Sequence, residues 1–274
     1  MGGAEHATRH LIYARFYHKF LYDLGVVHTL EPFSKLQHVG LILAEDGRKM
    51  SKRWGNVINP DEVVAKYGAD SMRVYEMFMG PFGSPTAWNT QGLVGVHKFL
   101  VKVWDLRERV SQSAGETTPS YMSLLQRTIA KVTHDISEFK LNTVVSSLMI
   151  LTNQLQEADS IRAQDFAVLL QLLAPLAPHL CEELWASLGH DKSIFLSAWP
   201  SYDPTLAVEE EVTLGVQVNG KLRGELTIPA NVAQDQDKVL EAALALPKVE
   251  KYLDYGRIVK KIYVPGRIVN IVVK

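Results

Sequence analysis

Two short stretches carry residue types whose spacing suits chemistry on phosphates. Arg48-Lys49-Met50-Ser51-Lys52-Arg53, followed by Gly55-Asn56, places four cations within six residues. Such a loop can neutralise the charge that develops on a leaving phosphate, although alone it reads equally well as a solvated basic turn. At the start, Gly2-Gly3-Ala4-Glu5-His6 sets a glycine pair before a helix. Glycine lets backbone approach a ligand closely, and a carboxylate such as Glu5 accepts hydrogen bonds from ribose hydroxyls; a plain tight turn is the alternative. His6 and His10 are four apart beside Glu5, a spacing that sets two metal ligands on one helix face. Glu5 precedes the pair instead of lying between its members and no third ligand is evident, so a metal-free helix face accounts for them and no metal site is assigned.

The elements that must position these residues follow from periodicity. Leu11, Ile12, Phe16, Phe20, Leu21 and Leu24 predict a helix from Ala7 that ends at Gly25, a left-handed cap. Val39-Gly40-Leu41-Ile42-Leu43 reads as a short buried strand, and Glu45-Asp46-Gly47 as the turn that delivers the chain into the basic loop. After Asn59-Pro60 a short helix through Val63, Val64 and Tyr67 stops at Gly68, and Asp70 is expected to cap the next. The proline- and glycine-rich stretch from Pro81 to Thr90 marks a first domain boundary.

Beyond it the spacing is helical. Val96, Leu100, Val103 and Val110 make one stripe; Leu125, Ile129, Val132, Ile136 and Phe139 a second; Leu141, Val144, Leu148, Leu151 and Leu155 a third. A fourth helix, Phe166 to Leu188, should bend at Pro175 and Pro178. After Pro200 and Pro204 the pattern alternates: Val212 to Val218, then Leu222 to Ile228, a hairpin around Asn219-Gly220. A regular two-residue turn would put its two apolar rows on opposite faces, so a three-residue loop, Asn219 to Lys221, or a bulge is required. A helical stretch from Val239 to Leu253 and two strands, Ile258 to Val264 and Arg267 to Val273, complete a small α+β domain. The expected division is therefore 1–85, a helical bundle over 86–200, a linker over 201–211 and the α+β domain over 212–274.

With 47% hydrophobic residues, the 274-residue chain can bury a sizeable core. Its net charge of −1 carries no global basic field, so any nucleic-acid contact must rest on local patches. From Val212 to Lys274 ten Lys or Arg face six Asp or Glu, a local net of +4. Lys221, Arg223, Arg257, Lys260 and Lys261 are the candidates there for phosphate contact, against the alternative of scattered solubilising charge. The single cysteine, Cys181, excludes an internal disulfide and favours a reducing compartment. No apolar run reaches the length of a membrane span and the first residues lack a signal pattern, so a cytoplasmic location with no membrane partner is expected.

Together the basic loop and the glycine turn resemble the second half of the catalytic domain of class I aminoacyl-tRNA synthetases. Lys49, Met50, Ser51 and Lys52 match that family's lysine-methionine-serine-lysine motif position by position, and Arg53 stands where serine is most common. Val216-Gln217-Val218-Asn219-Gly220-Lys221-Leu222-Arg223-Gly224 is similar to the tail hairpin of bacterial leucyl-tRNA synthetases, and Ala174-Pro175-Leu176-Ala177-Pro178-His179 with Glu182-Glu183-Leu184-Trp185 resembles the helical domain of the leucine, isoleucine and valine enzymes. The resemblance covers the whole chain. It implies a mainly α multidomain fold: the C-terminal remnant of a Rossmann-type catalytic domain, an anticodon-binding-type bundle and an α+β tail. It also implies that Lys49 and Lys52 stabilise the pyrophosphate leaving group, that Ser51 helps hold the loop, and that Gly2, Gly3, Glu5, His6 and Met50 belong to the ATP site. ATP with Mg2+, leucine and tRNA(Leu) are the implied ligands and partners.

The family's His-x-Gly-His segment is not matched. His38-Val39-Gly40-Leu41 carries three of its four positions at the wrong place, a coincidence, and there is no room for an inserted editing domain. The chain is therefore expected to be inactive alone. It is either a truncated product or one subunit of a split enzyme whose second polypeptide supplies the first half of the site. A non-catalytic tRNA-binding protein is the rival from a different class.

Overall fold

The computed structural model describes residues 3–111, 119–207, 211–230, 232–253, 258–265 and 267–273. They form two compact units, Met1–Asp203 and Pro204–Lys274.

In the first unit a 3-10 turn, Ala4–Thr8, leads into α1 (His10–Asp23). Its end is a Schellman cap: Gly25, at φ 72°, donates to Tyr22 O, and Val26 donates to Leu21 O, both at 2.9 Å. The helix has the predicted periodicity but buries none of its residues within the chain. Ile12, Phe16, Phe20 and Leu24 are all more than half exposed, so its apolar stripe is a surface here and not part of a core. The expected buried strand over Val39–Leu43 is corrected likewise. Only β1 (Ile42–Leu43) forms, parallel to β2 (Thr86–Ala87), and Leu41 and Ile42 are exposed. A two-residue parallel ladder has no second layer to cover it.

Asn59 Oδ1 accepts from Asp61 N at 3.1 Å to open α2 (Pro60–Tyr67), and Gly68, at φ 86°, joins it to α3 (Ala69–Phe78). The α3 cap departs from expectation: Asp70 lies inside the helix and Gly68 holds the cap position with no side-chain bond. Asn89 caps α4 (Thr90–Asp105) through Gln91 N and Gly92 N. Across the stretch before it, Val74 and Tyr75 of α3 share one core with Val96, Leu100 and Val103 of α4.

The three stripes become α4, α5 (Met122–Ser137) and α6 (Leu141–Glu157), and Val144, Leu148, Leu151 and Leu155 are wholly buried. Between α4 and α7 run β3 (Val110–Ser111) and β4 (Ile161–Arg162), a second two-residue parallel ladder. Pro175 and Pro178 do more than bend the fourth helix. They divide it into α7 (Ala163–Leu173) and α8 (Pro178–Ser187), with Pro178 in the first turn of α8.

The second unit is a four-stranded sheet ordered β6-β5-β8-β7, with β5 (Glu211–Val218), β6 (Lys221–Pro229), β7 (Ile258–Val264) and β8 (Ile268–Val273). The β5–β6 and β7–β8 pairs are antiparallel and β5–β8 is parallel. α9 (Gln236–Leu244) and α10 (Pro247–Leu253), divided at Pro247, follow β6. Val239, Ala243 and Val249 pack with Leu214, Val216, Val269 and Ile271.

The hairpin parity is met by a bulge. Asn219 (φ 50°) and Gly220 (φ 77°) form the two-residue turn, and Val218 faces Lys221. The register then shifts: Gln217 faces Leu222 and Val216 faces Gly224, which leaves Arg223 as the extra residue. Beyond it Leu226 and Ile228 return to the core face.

Candidate functional site

The basic loop is built from its own backbone upward. Ala44 N donates to Arg48 O and Gly47 N to Ala44 O, each at 2.9 Å, which closes a tight turn with Gly47 at φ 76°. The Asp46 carboxylate takes Arg48 N at 2.9 Å and the Arg48 guanidinium at 2.7 Å; that guanidinium contact is the main reason its pKa falls below the ordinary carboxylate value. On the return limb Ser51 Oγ accepts from Arg53 N at 3.3 Å and caps the 3-10 turn Lys52–Trp54, which ends on Gly55 at φ 64°. Asn56 ties the limbs together, its Oδ1 accepting from Ser51 N at 2.9 Å and its Nδ2 reaching Lys49 O at 3.5 Å. Met50 packs inward against the helical core.

That leaves Lys49 and Lys52 exposed, and neither forms an ion pair among the described residues. Arg48 and Arg53 instead flank Trp54, their guanidinium carbons 5.2 and 5.3 Å from its ring centre. Sequence reasoning missed Trp54; an aromatic directly after a basic run was the available signal.

Gly2 lies outside the described residues. Gly3 precedes the 3-10 turn at an ordinary φ of −65°, and a Cβ there would meet only the flexible, exposed Glu5 carboxylate, which can swing aside, so the turn itself does not require glycine. A cleft of about 400 Å³ opens beside the turn, and its lining includes Gly3, His6, His10, Arg15, Glu31 and Lys35. Neither Glu5 nor any residue of Lys49–Arg53 lines it. The structure therefore gathers Gly3 and His6 at one cleft and Lys49, Met50, Ser51 and Lys52 on one loop that does not line it. The His6 and His10 rings stand 6.3 Å apart, and no group of three potential metal ligands occurs among the described residues.

Sequence reasoning also missed the wall of this cleft. Glu31 takes Arg15 in a bidentate pair, Nε at 2.7 Å and Nη2 at 2.6 Å, with Lys19 at 3.5 Å. The Arg15 hydrogen bonds are the largest influence on Glu31 and lower its pKa to about 2. The folded-state pKa lies below the unfolded one, so the stabilisation is present above the ordinary carboxylate pKa and is lost as pH falls toward about 2. Relative to the intrinsic exchange rate at each pH, the hydrogen-exchange protection of residues 26–36 is expected to fall across that window, and Glu31→Gln to remove the step.

In the second unit Lys221 is exposed at the turn, and Lys260 and Lys261 are exposed on the edge strand β7. Arg257 lies outside the described residues. Arg223 does not project freely from the hairpin: the bulge turns it toward α10, its guanidinium carbon 4.3 Å from the Tyr252 ring centre. Its Nε is buried with no hydrogen-bond partner among the described residues.

The comparisons with known proteins agree along the whole chain. The family described as tRNA synthetases class I (I, L, M and V) matches residues 14–88, and the anticodon-binding domain of tRNA ligase matches residues 120–239. Leucine–tRNA ligases of Chlorobaculum tepidum and Chlorobium phaeobacteroides are each 47% identical over 100% of this chain, and that of Chlorobaculum parvum 46%. The chain belongs to the leucine–tRNA ligase family. It spans 34% of the length of those leucine–tRNA ligases, their C-terminal part. A solved structure, the ternary complex of Agrobacterium radiobacter K84 agnB2 LeuRS with tRNA and LeuAMS, is 36% identical with a TM-score of 0.70, over 100% of this chain and 38% of that one. The class I synthetase segment thus ends where β2 does, and the anticodon-binding segment begins just before α5. Among the described residues no helix is long and apolar enough to cross a membrane.

Proposed function

We propose that this chain supplies the pyrophosphate-binding loop and the tRNA-binding surfaces for ATP-dependent ligation of leucine to tRNA(Leu). The observation that carries the reading is the loop itself. Asn56 and Met50 hold it from within, and its two motif lysines stay exposed and form no ion pair among the described residues. Lys49 and Lys52 would stabilise the pyrophosphate as leucine attacks the α-phosphate, and Gly3, Glu5 and His6 would meet the nucleoside end of ATP. The exposed lysines and the glycine-lined turn fit a nucleotide. For Mg2+ no carboxylate cluster is present among the described residues, and no step is assigned to it.

The finer division into 1–85, 86–200, the linker 201–211 and 212–274 belongs to this proposal, with Lys221, Arg223, Arg257, Lys260 and Lys261 as tRNA phosphate contacts. So does the inactivity of these 274 residues alone. The uncovered face of α1, with Ile12, Phe16 and Phe20 more than half exposed, supports a protein partner there. A second polypeptide that carries the first catalytic half would be the partner that covers it. Such an enzyme would work in the cytoplasm.

Two assays on the purified chain test this. In a salt series, unmodified tRNA(Leu) should bind more tightly than a non-cognate tRNA and weaken steeply with salt. Leucine-dependent exchange between pyrophosphate and ATP should be undetectable. Equal binding of both tRNAs would overturn the tRNA reading, and measurable exchange would overturn the claim of inactivity.

A further inference from the structure

The loop that carries Lys49 and Lys52 is fastened at both ends to the helical core. On the entry side Glu45 Oε1 accepts from Thr90 Oγ1 at 2.7 Å and Thr90 N at 3.2 Å, so its carboxylate sits on the first turn of α4. That is where a helix dipole favours negative charge. On the exit side the chain runs through α2 into α3, and one face of α3 grips the elbow between α7 and α8. Asp70, only 9% exposed, accepts from Leu180 N at 2.7 Å and from His179 Nδ1 at 2.8 Å. Three residues on, Arg73 donates to Pro175 O at 3.0 Å and Leu176 O at 3.1 Å.

The polarity is complementary at both points, an acid against the amides that open α8 and a cation against the carbonyls that follow α7. The prolines make the grip possible. They interrupt the helix, so amides and carbonyls that would pair with each other are left for α3. Asp70 and Arg73 lie in the segment matched to class I synthetases, and the elbow lies in the segment matched to the anticodon-binding domain.

We infer that Glu45, Asp70 and Arg73 are positioning residues that couple the helical bundle to the lysine-rich loop, so that tRNA bound on the bundle orders the loop. None of the three touches the reacting atoms; each acts through an element the loop hangs from. A purely structural role would lower stability and leave the loop indifferent to tRNA. The inference rests on the tRNA reading above.

The experiment is hydrogen exchange across residues 44–56 of the 274-residue chain, with and without saturating unmodified tRNA(Leu). In the wild type tRNA should slow exchange by about five-fold or more, the lower end of a coupled pair of sites. In Asp70→Asn and Arg73→Met that slowing should vanish and, because coupling is reciprocal, tRNA affinity should fall by a comparable factor, about five-fold, while binding at saturation persists. Arg73→Lys, which keeps a donor, should restore part of it. Glu45→Gln, at an exposed position, should weaken the effect and decides the matter if Asp70→Asn does not fold. Wild-type binding without slower exchange, or slowing that persists in folded variants, overturns the coupling and leaves the tRNA reading intact. Failure of the wild type to bind tRNA overturns both.

Discussion

Replacing Lys49 and Lys52 together by alanine, in a polypeptide that joins this segment to the preceding catalytic half, should lower leucine-dependent exchange between pyrophosphate and ATP by at least about 10³-fold. Removal of one preorganised charge at a developing anion typically costs 10²- to 10³-fold. The structure makes this a test of charge and not of folding, because both side chains are exposed and the loop is held by Asn56, Ser51 and Met50. The melting temperature should therefore hardly move, and tRNA binding should stay unchanged. Arg53→Ser, which restores the family's commonest residue, should cost far less, since Arg53 lies against Trp54. A double variant that retains exchange would remove the loop from the reaction.

The largest effect on stability is expected at Asp165. Its carboxylate is 5% exposed and accepts from Arg162 Nε at 2.6 Å and from Tyr121 Oη at 3.0 Å, while Tyr121 Oη in turn accepts from Arg162 N at 3.1 Å. Burial, first of all, raises the Tyr121 pKa and keeps the hydroxyl protonated for donation. Asp165→Ala strands a guanidinium and a buried hydroxyl and should destabilise the first unit by about 3 kcal/mol, or roughly 6–12 °C in Tm for a unit of this size. Tyr121→Phe, which leaves the Arg162–Asp165 pair intact, should cost about 1 kcal/mol. Calorimetry of both variants checks the order, and equal losses would show that the ion pair contributes little.

What the sequence made legible is what short-range rules govern. The stripes of α4, α5 and α6, the left-handed stop at Gly25 and the bulge in the β5–β6 hairpin all follow from spacing within a few residues. Partners more than a hundred positions away left no such trace. Asp70 sits three residues after Tyr67 and two after a glycine, a good place for a local cap, but its acceptor capacity is taken by His179 and Leu180. Arg223 reads as a free cation on an alternating strand, yet the bulge rotates it onto Tyr252, which depends on where α10 packs. In α1 the periodicity gives the helix but not its surroundings: the apolar stripe is exposed, because amphipathicity says which face seeks cover and not what provides it.

The bulge at Arg223 gives β6 one residue of slack. A single deletion between Arg223 and Leu226 can be absorbed by closing the bulge, so that Leu226 and Ile228 keep their inward direction. An insertion in the same interval has no such reserve, because every side chain beyond it would exchange faces. Length variation in this hairpin is thus tolerated in one direction only, an asymmetry set by a single unpaired residue.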